Sequence, residues 1–148
     1  MRGQSHRLFI LAFAKAQTAA EKKGLACSPG DFAIGQASNL MTRLNGISDE
    51  VDAITPPNAS VQSAWLGAAG AACSAGLRAE AANAKKPSQA KLDQARAKAH
   101  DKLVTTAGKA VSKAEQKGVM FDPEPDPGGF ADSVDQLIDE TAAALGPI

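Results

Sequence analysis

Residues 28–54, SPGDFAIGQASNLMTRLNGISDEVDAI, contain the clearest helical pattern in this chain of 148 residues. Ser28-Pro29-Gly30-Asp31 resembles a capping box with proline at the first helical position, which predicts where the helix begins. Apolar residues then recur at alternating intervals of three and four, as on the packed face of a bundle helix. They are Ala37, Leu40, Leu44, Ile47, Val51 and Ile54. The pattern predicts packing against other helices, of this chain or of another.

The same spacing extends in both directions along the chain. Upstream, it predicts a helix over residues 5–23 that ends at Gly24. Downstream, Asn58 follows two prolines and is a natural N-cap, and a Pro-Ser pair at residues 87–88 separates that helix from one over 89–117. Gly118 favours a Schellman-type ending of this last helix. The sequence therefore predicts an all-α protein with a bundle of about four longer helices.

A short final helix is predicted to follow an acidic segment rich in proline and glycine. We expect residues 1–118 to form the bundle, 119–131 to be an extended linker, and 132–148 to contain a C-terminal docking helix. Phe130 precedes this helix as a hydrophobic staple. Its apolar face comprises Val134, Leu137 and Ile138. Since the linker is extended, we expect the helix to dock onto a neighbouring copy or a partner.

Small residues surround the single tryptophan of the chain. Trp65 is followed by Gly67 and Gly70 and, further on, by Gly76. An interior glycine destabilises a helix by about 1 kcal/mol relative to alanine, so several together imply a close contact with a neighbouring helix. Alternatively, the glycines break the helix and place Trp65 at the corner of a hairpin.

The second possibility is supported by a family resemblance. Trp65-Leu66-Gly67, with the flanking run Ala68-Ala69-Gly70-Ala71-Ala72, resembles the W-x-G turn of the WXG100 proteins, which are small helical hairpins exported by type VII secretion. The resemblance covers residues 32–85. It implies a helical hairpin that is exported together with a partner protein.

Charge is sorted along the chain although the net charge is zero. Residues 1–30 carry +4, residues 31–77 carry −3, residues 78–117 carry +6 and residues 118–148 carry −7. The complementary charges either neutralise each other within one fold or match head to tail between copies. The basic segment over residues 84–117 is either a solvated helix face or a contact for nucleic-acid phosphates.

Residues that could perform chemistry are few and scattered. His6 and His100 have no ligand at helical spacing, and Cys27 and Cys73 are too few and too far apart for a zinc site. The acids of residues 122–126 alternate with prolines and do not form a calcium loop. No nucleotide-binding, esterase or zinc-protease motif is present. We therefore predict no catalytic residue, no cofactor and no metal.

These observations favour a non-enzymatic structural subunit of a larger assembly, for example a bacteriophage connector, neck or decoration protein. We expect its partners to be other protein subunits, identical or different, and we expect no membrane span. A WXG100-like export partner and a basic nucleic-acid-associated protein are the alternatives. Residues 1–16 resemble a short signal peptide, but we interpret them as the start of the first helix of a soluble protein, located in a virion or in the cytoplasm during assembly.

Overall fold

A computed structural model describes residues 30–145 of the chain, which form four α-helices and no strand. The helices are α1 (Gly30–Asp52), α2 (Ala59–Lys85), α3 (Gln89–Glu115) and α4 (Pro127–Leu145). The predicted all-α class is therefore confirmed. The helix predicted over residues 5–23 lies outside the described residues. The chain divides into two compact units at Leu44, and the bundle belongs to the second, Asn45–Ile148.

The connection between α1 and α2 is fixed by apolar burial and by a cap. Val51 and Ile54 are buried at the end of α1. Asn58 caps α2 as predicted, because its Oδ1 accepts a hydrogen bond from the backbone N–H of Val61 at 3.1 Å. Gln62 donates to the carbonyl oxygen of Val51 at 3.3 Å. These bonds attach the last turn of α1 to the first turn of α2.

The end of α3 has the predicted Schellman geometry. Gly118 has a φ of +86°, in the left-handed region that glycine adopts without a Cβ clash. The N–H of Val119 donates to the carbonyl of Ala114, and the N–H of Gly118 donates to that of Glu115. The chain then turns back towards α2, where the N–H of Asp122 donates to the carbonyl of Thr55 at 3.0 Å.

Helix α4 begins at Pro127, five residues earlier than the predicted start at residue 132. Asp126 occupies the N-cap position, and its Oδ1 accepts a hydrogen bond from the N–H of Gly128 at 2.9 Å. Proline is well suited to the first helical position because the N–H that it lacks would have no helical partner there. The boundary predicted for the linker is therefore wrong. Both glycines of the supposed linker lie in the first turn of α4.

The second unit is an up-down-up bundle of α2, α3 and α4. Two contacts give the relative direction of α2 and α4. Trp65 contacts Phe130 near the start of both helices and Gly76 contacts Ile138 further along, so the two helices run parallel. Apolar side chains fill the interior, and within the described residues no polar or charged residue is fully buried. The largest fully buried side chains are Val51, Val61, Leu103, Val134 and Ile138. None of the described helices has both the length and the hydropathy that crossing a membrane requires.

Candidate functional site

Trp65 connects all three helices of the bundle. Its side chain is only 3% exposed, and its Nε1–H donates to the carbonyl oxygen of Ala107 on α3 at 3.2 Å. The indole also packs against the ring of Phe130 on α4, with ring centroids 4.7 Å apart. A buried indole needs a hydrogen-bond acceptor, and Ala107 provides it. Trp65 and Phe130 are therefore interior packing residues.

The position of Trp65 excludes the hairpin corner. Helix α2 continues without interruption from Ala59 to Lys85, so Trp65-Leu66-Gly67 lies inside a helix. The W-x-G turn implied by the WXG100 resemblance is not formed. The physical reason is that an exposed glycine weakens a helix without ending it when the residues on both sides favour the helical conformation.

The close helix contact expected from Gly67, Gly70 and Gly76 is found at Gly76 but not at Gly67 or Gly70. A Cβ atom placed on Gly76 would lie 2.7 Å from Cδ1 of Ile138, whereas none of the described atoms outside the local helix lies within 4 Å of such an atom at Gly67 or Gly70. Both glycines face outwards, next to Leu66, which is 43% exposed. The expected packing role of Gly67 and Gly70 within the bundle is therefore corrected.

The apolar face of the C-terminal helix is covered by the same chain. Phe130, Val134, Leu137 and Ile138 are all buried against α2 and α3. The expectation that this helix docks onto a neighbour is thus corrected, since it packs onto its own bundle. The connection after α3 makes this possible because the bond between Asp122 and Thr55 directs the chain back to the start of α2.

The apolar positions predicted along α1 have different surroundings. Ile47 and Val51 are buried, whereas Leu44 is 42% exposed. The side chain of Leu40 lies outside the described residues. The part of the predicted face that lies within the second unit therefore contributes to its core.

A cluster of charged side chains, which we name the polar seam, lies between the helices near Gly76. Arg96 of α3 forms ion pairs with Glu80 of α2, at 3.2 Å, and with Asp139 of α4. One turn further along α3, Nδ1 of His100 lies 2.8 Å from Oδ2 of Asp135. The Arg96 guanidinium donates a hydrogen bond to the Asp139 carboxylate, and this bond is the main cause of the raised pKa of Arg96. The seam thus joins α2, α3 and α4 by charge.

The thiol of Cys73 lies on the same side of α2 as the polar seam. Burial raises its pKa, and the negative charge of Asp135 raises it further. A raised pKa keeps the thiol protonated, which is the opposite of what a nucleophilic cysteine needs. In the described part of the chain, no group of His, Cys, Asp and Glu residues could hold a metal ion. His6 and Cys27 lie outside it.

Sequence reasoning did not identify the polar seam, although a signal was present. Arg96 and His100 are four residues apart on α3, as are Asp135 and Asp139 on α4. Residues at this spacing share one helix face, so two bases can oppose two acids across an antiparallel pair. Within one fold, the seam therefore pairs bases of the basic segment with acids of other segments.

The remaining charges are sorted on the surface of the bundle. One end, which we name the acidic end, consists of the α1–α2 and α3–α4 connections with the last turn of α1. It presents six exposed acids and one exposed lysine, Lys117; the acids are Asp49, Glu50, Asp52, Asp122, Glu124 and Asp126. The opposite end, named the basic end, surrounds the α2–α3 connection. It presents three exposed lysines, namely Lys85, Lys86 and Lys91, together with one exposed acid, Asp93.

A third charged surface follows the outer side of α3. Lys98, Lys102, Lys109 and Lys113 are all exposed and recur at intervals of four and seven residues, which places them on one line along the helix. We name this surface the lysine row. Among the described residues, none of these lysines forms an ion pair.

The chain matches no protein-family model, and neither a curated protein nor a solved structure is significantly similar to it. Arguments about its function therefore rest on the geometry and charge of its own surfaces.

Proposed function

We propose that this chain is a non-enzymatic structural subunit of a larger protein assembly, in which copies associate head to tail. The observation that carries the proposal is the opposite charge of the two ends of one bundle. The acidic end and the basic end are separated by the length of α2, which at 27 residues is about 40 Å. Complementary surfaces so far apart cannot neutralise each other within one copy, but they can do so between copies.

The charged residues fall into a group that is paired within the bundle and a group that is not, and this difference supports the proposal. Glu80, Arg96, His100, Asp135 and Asp139 are used within the bundle. At the two ends, by contrast, no described acid or lysine forms an ion pair with another described residue. Because the whole chain has a net charge of zero, copies do not repel one another at long range.

Contact between two different surfaces of identical subunits has a geometric consequence. Such a heterologous contact produces a ring when the rotation between neighbours closes, and an open polymer when it does not. Bacteriophage connector, neck and decoration proteins are assemblies of repeated subunits, and we propose a virion as the setting of this chain. The proposal requires only surface complementarity and no catalytic group.

The first experiment measures native mass by light scattering over a range of protein and salt concentrations. We expect a mass above that of the 15.1 kDa chain at low salt, falling as salt screens the two ends. A monomer at all concentrations and at low salt would contradict self-association. A large mass that does not respond to salt would contradict the role of the charged ends.

A charge-reversal experiment tests the pairing of the two ends directly. Lys85→Glu with Lys86→Glu makes both ends acidic, and Asp122→Lys with Glu124→Lys reverses two charges of the acidic end. We expect the first variant to remain monomeric, and the second, whose altered end still holds more acids than lysines, to associate more weakly than the unaltered chain. Lys98→Glu with Lys102→Glu is a matched control because it makes the same charge change on the side of the bundle. Loss of assembly in this control as well would show that net charge, and not the ends, controls association.

A further inference from the structure

The lysine row has the form of a straight charged ridge. From Lys98 to Lys113 the row covers 15 residues, or about 22 Å of helix. It lies on the side of α3 opposite to the buried Leu103 and Ala107. Between the lysines, the exposed residues are small or uncharged, such as Thr105, Thr106 and Ser112. No acidic residue interrupts this line, because Asp101 and Glu115 lie to one side of it.

Four like charges in one line repel one another, and none of them forms an ion pair within the described chain. The bases of α3 that do form ion pairs, Arg96 and His100, face the polar seam on the other side of the helix. Lysine is the residue that binds phosphate as a point charge, without the bidentate geometry by which arginine reads a base edge. The row therefore suits a linear polyanion that is bound by its charge.

We propose that the lysine row binds the phosphate backbone of duplex DNA without reading its sequence. The length of the row corresponds to about two-thirds of one turn of the duplex. This inference rests on an observation independent of head-to-tail association, since the row lies on the side of the bundle and not at its ends.

Other partners fit the row less well. Binding of single-stranded nucleic acid relies on aromatic side chains that stack on bases, and the row has none. A membrane-surface helix inserts an apolar face beside its basic face, whereas the apolar face of α3 is buried in the core. Contact with a phosphate backbone requires only positive charge on a surface that the duplex can reach.

The test measures binding of a short mixed-sequence DNA duplex by fluorescence anisotropy over a range of salt concentrations. Each phosphate contact contributes about −0.9 to the slope of log K against log salt, so four lysines predict a slope of about −3 to −4. Lys102→Gln with Lys109→Gln should reduce the steepness of this slope by about 2. The control is Arg78→Gln, which removes an exposed positive charge of α2 outside both the row and the basic end and should leave the slope nearly unchanged.

Two further probes separate the possible partners. Vesicles containing phosphatidylserine present anionic charge on a surface, and polyglutamate presents it on a peptide. The proposal predicts tighter binding to duplex DNA than to either probe at equal salt. It is overturned if DNA does not bind at low salt, if Arg78→Gln flattens the slope as much per charge as the row pair, or if vesicles or polyglutamate bind as tightly as DNA. Because both variants keep Lys85 and Lys86, the basic end is the same in the two measurements, and a failure of head-to-tail assembly is distinguishable from a failure of DNA binding.

Discussion

Ile138 of α4 occupies the space that a side chain at Gly76 of α2 would need, since a Cβ atom there would lie 2.7 Å from Cδ1 of Ile138. The two helices therefore approach each other most closely at this glycine. At Gly67 and Gly70 the corresponding space is open. The three glycines of α2 therefore have two roles: Gly76 allows the close approach of α4, whereas Gly67 and Gly70 face open space.

Alanine substitution should separate these roles. Gly76→Ala overpacks the contact with Ile138 and should lower the free energy of unfolding by about 1–2 kcal/mol, because the clash exceeds the gain in helix propensity. Gly67→Ala and Gly70→Ala should each raise it, by up to about 1 kcal/mol. Urea denaturation monitored by circular dichroism measures all three. Destabilisation by Gly67→Ala or Gly70→Ala would show that these positions are packed and not open.

Trp65 should be the most sensitive position of the core. Trp65→Ala removes a large buried side chain, its contact with Phe130 and its hydrogen bond to Ala107, and should destabilise the bundle by about 3–5 kcal/mol. Leu66→Ala is the control, because Leu66 is 43% exposed and its truncation should change stability by no more than about 0.5 kcal/mol. Thermal unfolding of both variants gives the comparison. A folded Trp65→Ala variant of normal stability would contradict the packing role of this residue.

Arg96 should be required for the polar seam. Arg96→Met keeps much of the aliphatic volume but leaves Glu80 and Asp139 as neighbouring acids without their common partner. We expect a loss of about 1–3 kcal/mol, since the seam is only partly exposed. Adding Glu80→Gln removes one uncompensated charge and should recover part of this loss. If Glu80→Gln changes stability by the same amount with Arg96 present and with Arg96→Met, the two residues are not coupled, and this double-mutant cycle measures the coupling directly.

The Cys73 thiol should make stability depend on pH in the alkaline range. Its pKa is raised in the folded state by burial and by the charge of Asp135, so the folded protein holds the thiol proton more tightly than the unfolded chain does. The free energy of unfolding should therefore decline as pH rises above about 8.5, the ordinary pKa of cysteine, towards the raised value. Cys73→Ala should flatten this decline.

Alkylation of Cys73 provides an independent measurement of the same effect. The pH midpoint of its reaction with iodoacetamide, followed on the Cys73 peptide by mass spectrometry, should lie above that of a free cysteine peptide. Asp135→Asn should lower the midpoint, because the charge that disfavours the thiolate is removed. An unchanged midpoint in this variant would leave burial as the only cause.

The sequence was sufficient to predict the helical class and several helix ends, because these depend on local residues. Asn58 and Gly118 act through hydrogen bonds within a few positions of themselves, so their roles can be inferred without a fold. The contact of Gly76 with Ile138 and the pairing of His100 with Asp135 depend on the register between helices far apart in sequence. Helical spacing does not determine that register, which explains why the sequence did not distinguish Gly76 from Gly67 and Gly70 and why the polar seam was missed.

The start of α4 was a local signal that could have been used, and it gives the last prediction. Asp126 and Pro127 combine a favoured N-cap with a favoured first helical residue, yet the two following glycines indicate a flexible linker. A Cβ atom on Gly129 would lie 2.7 Å from Oδ2 of Asp126, so the cap itself requires a small residue there.

Asp126→Ala should therefore destabilise α4 by about 1 kcal/mol and accelerate hydrogen exchange at the amides of its first turns. Glu124→Ala, two residues earlier and exposed, removes the same charge without removing a cap and should leave exchange unchanged. Equal exchange in the two variants would mean that α4 begins later in solution, as the glycines suggest.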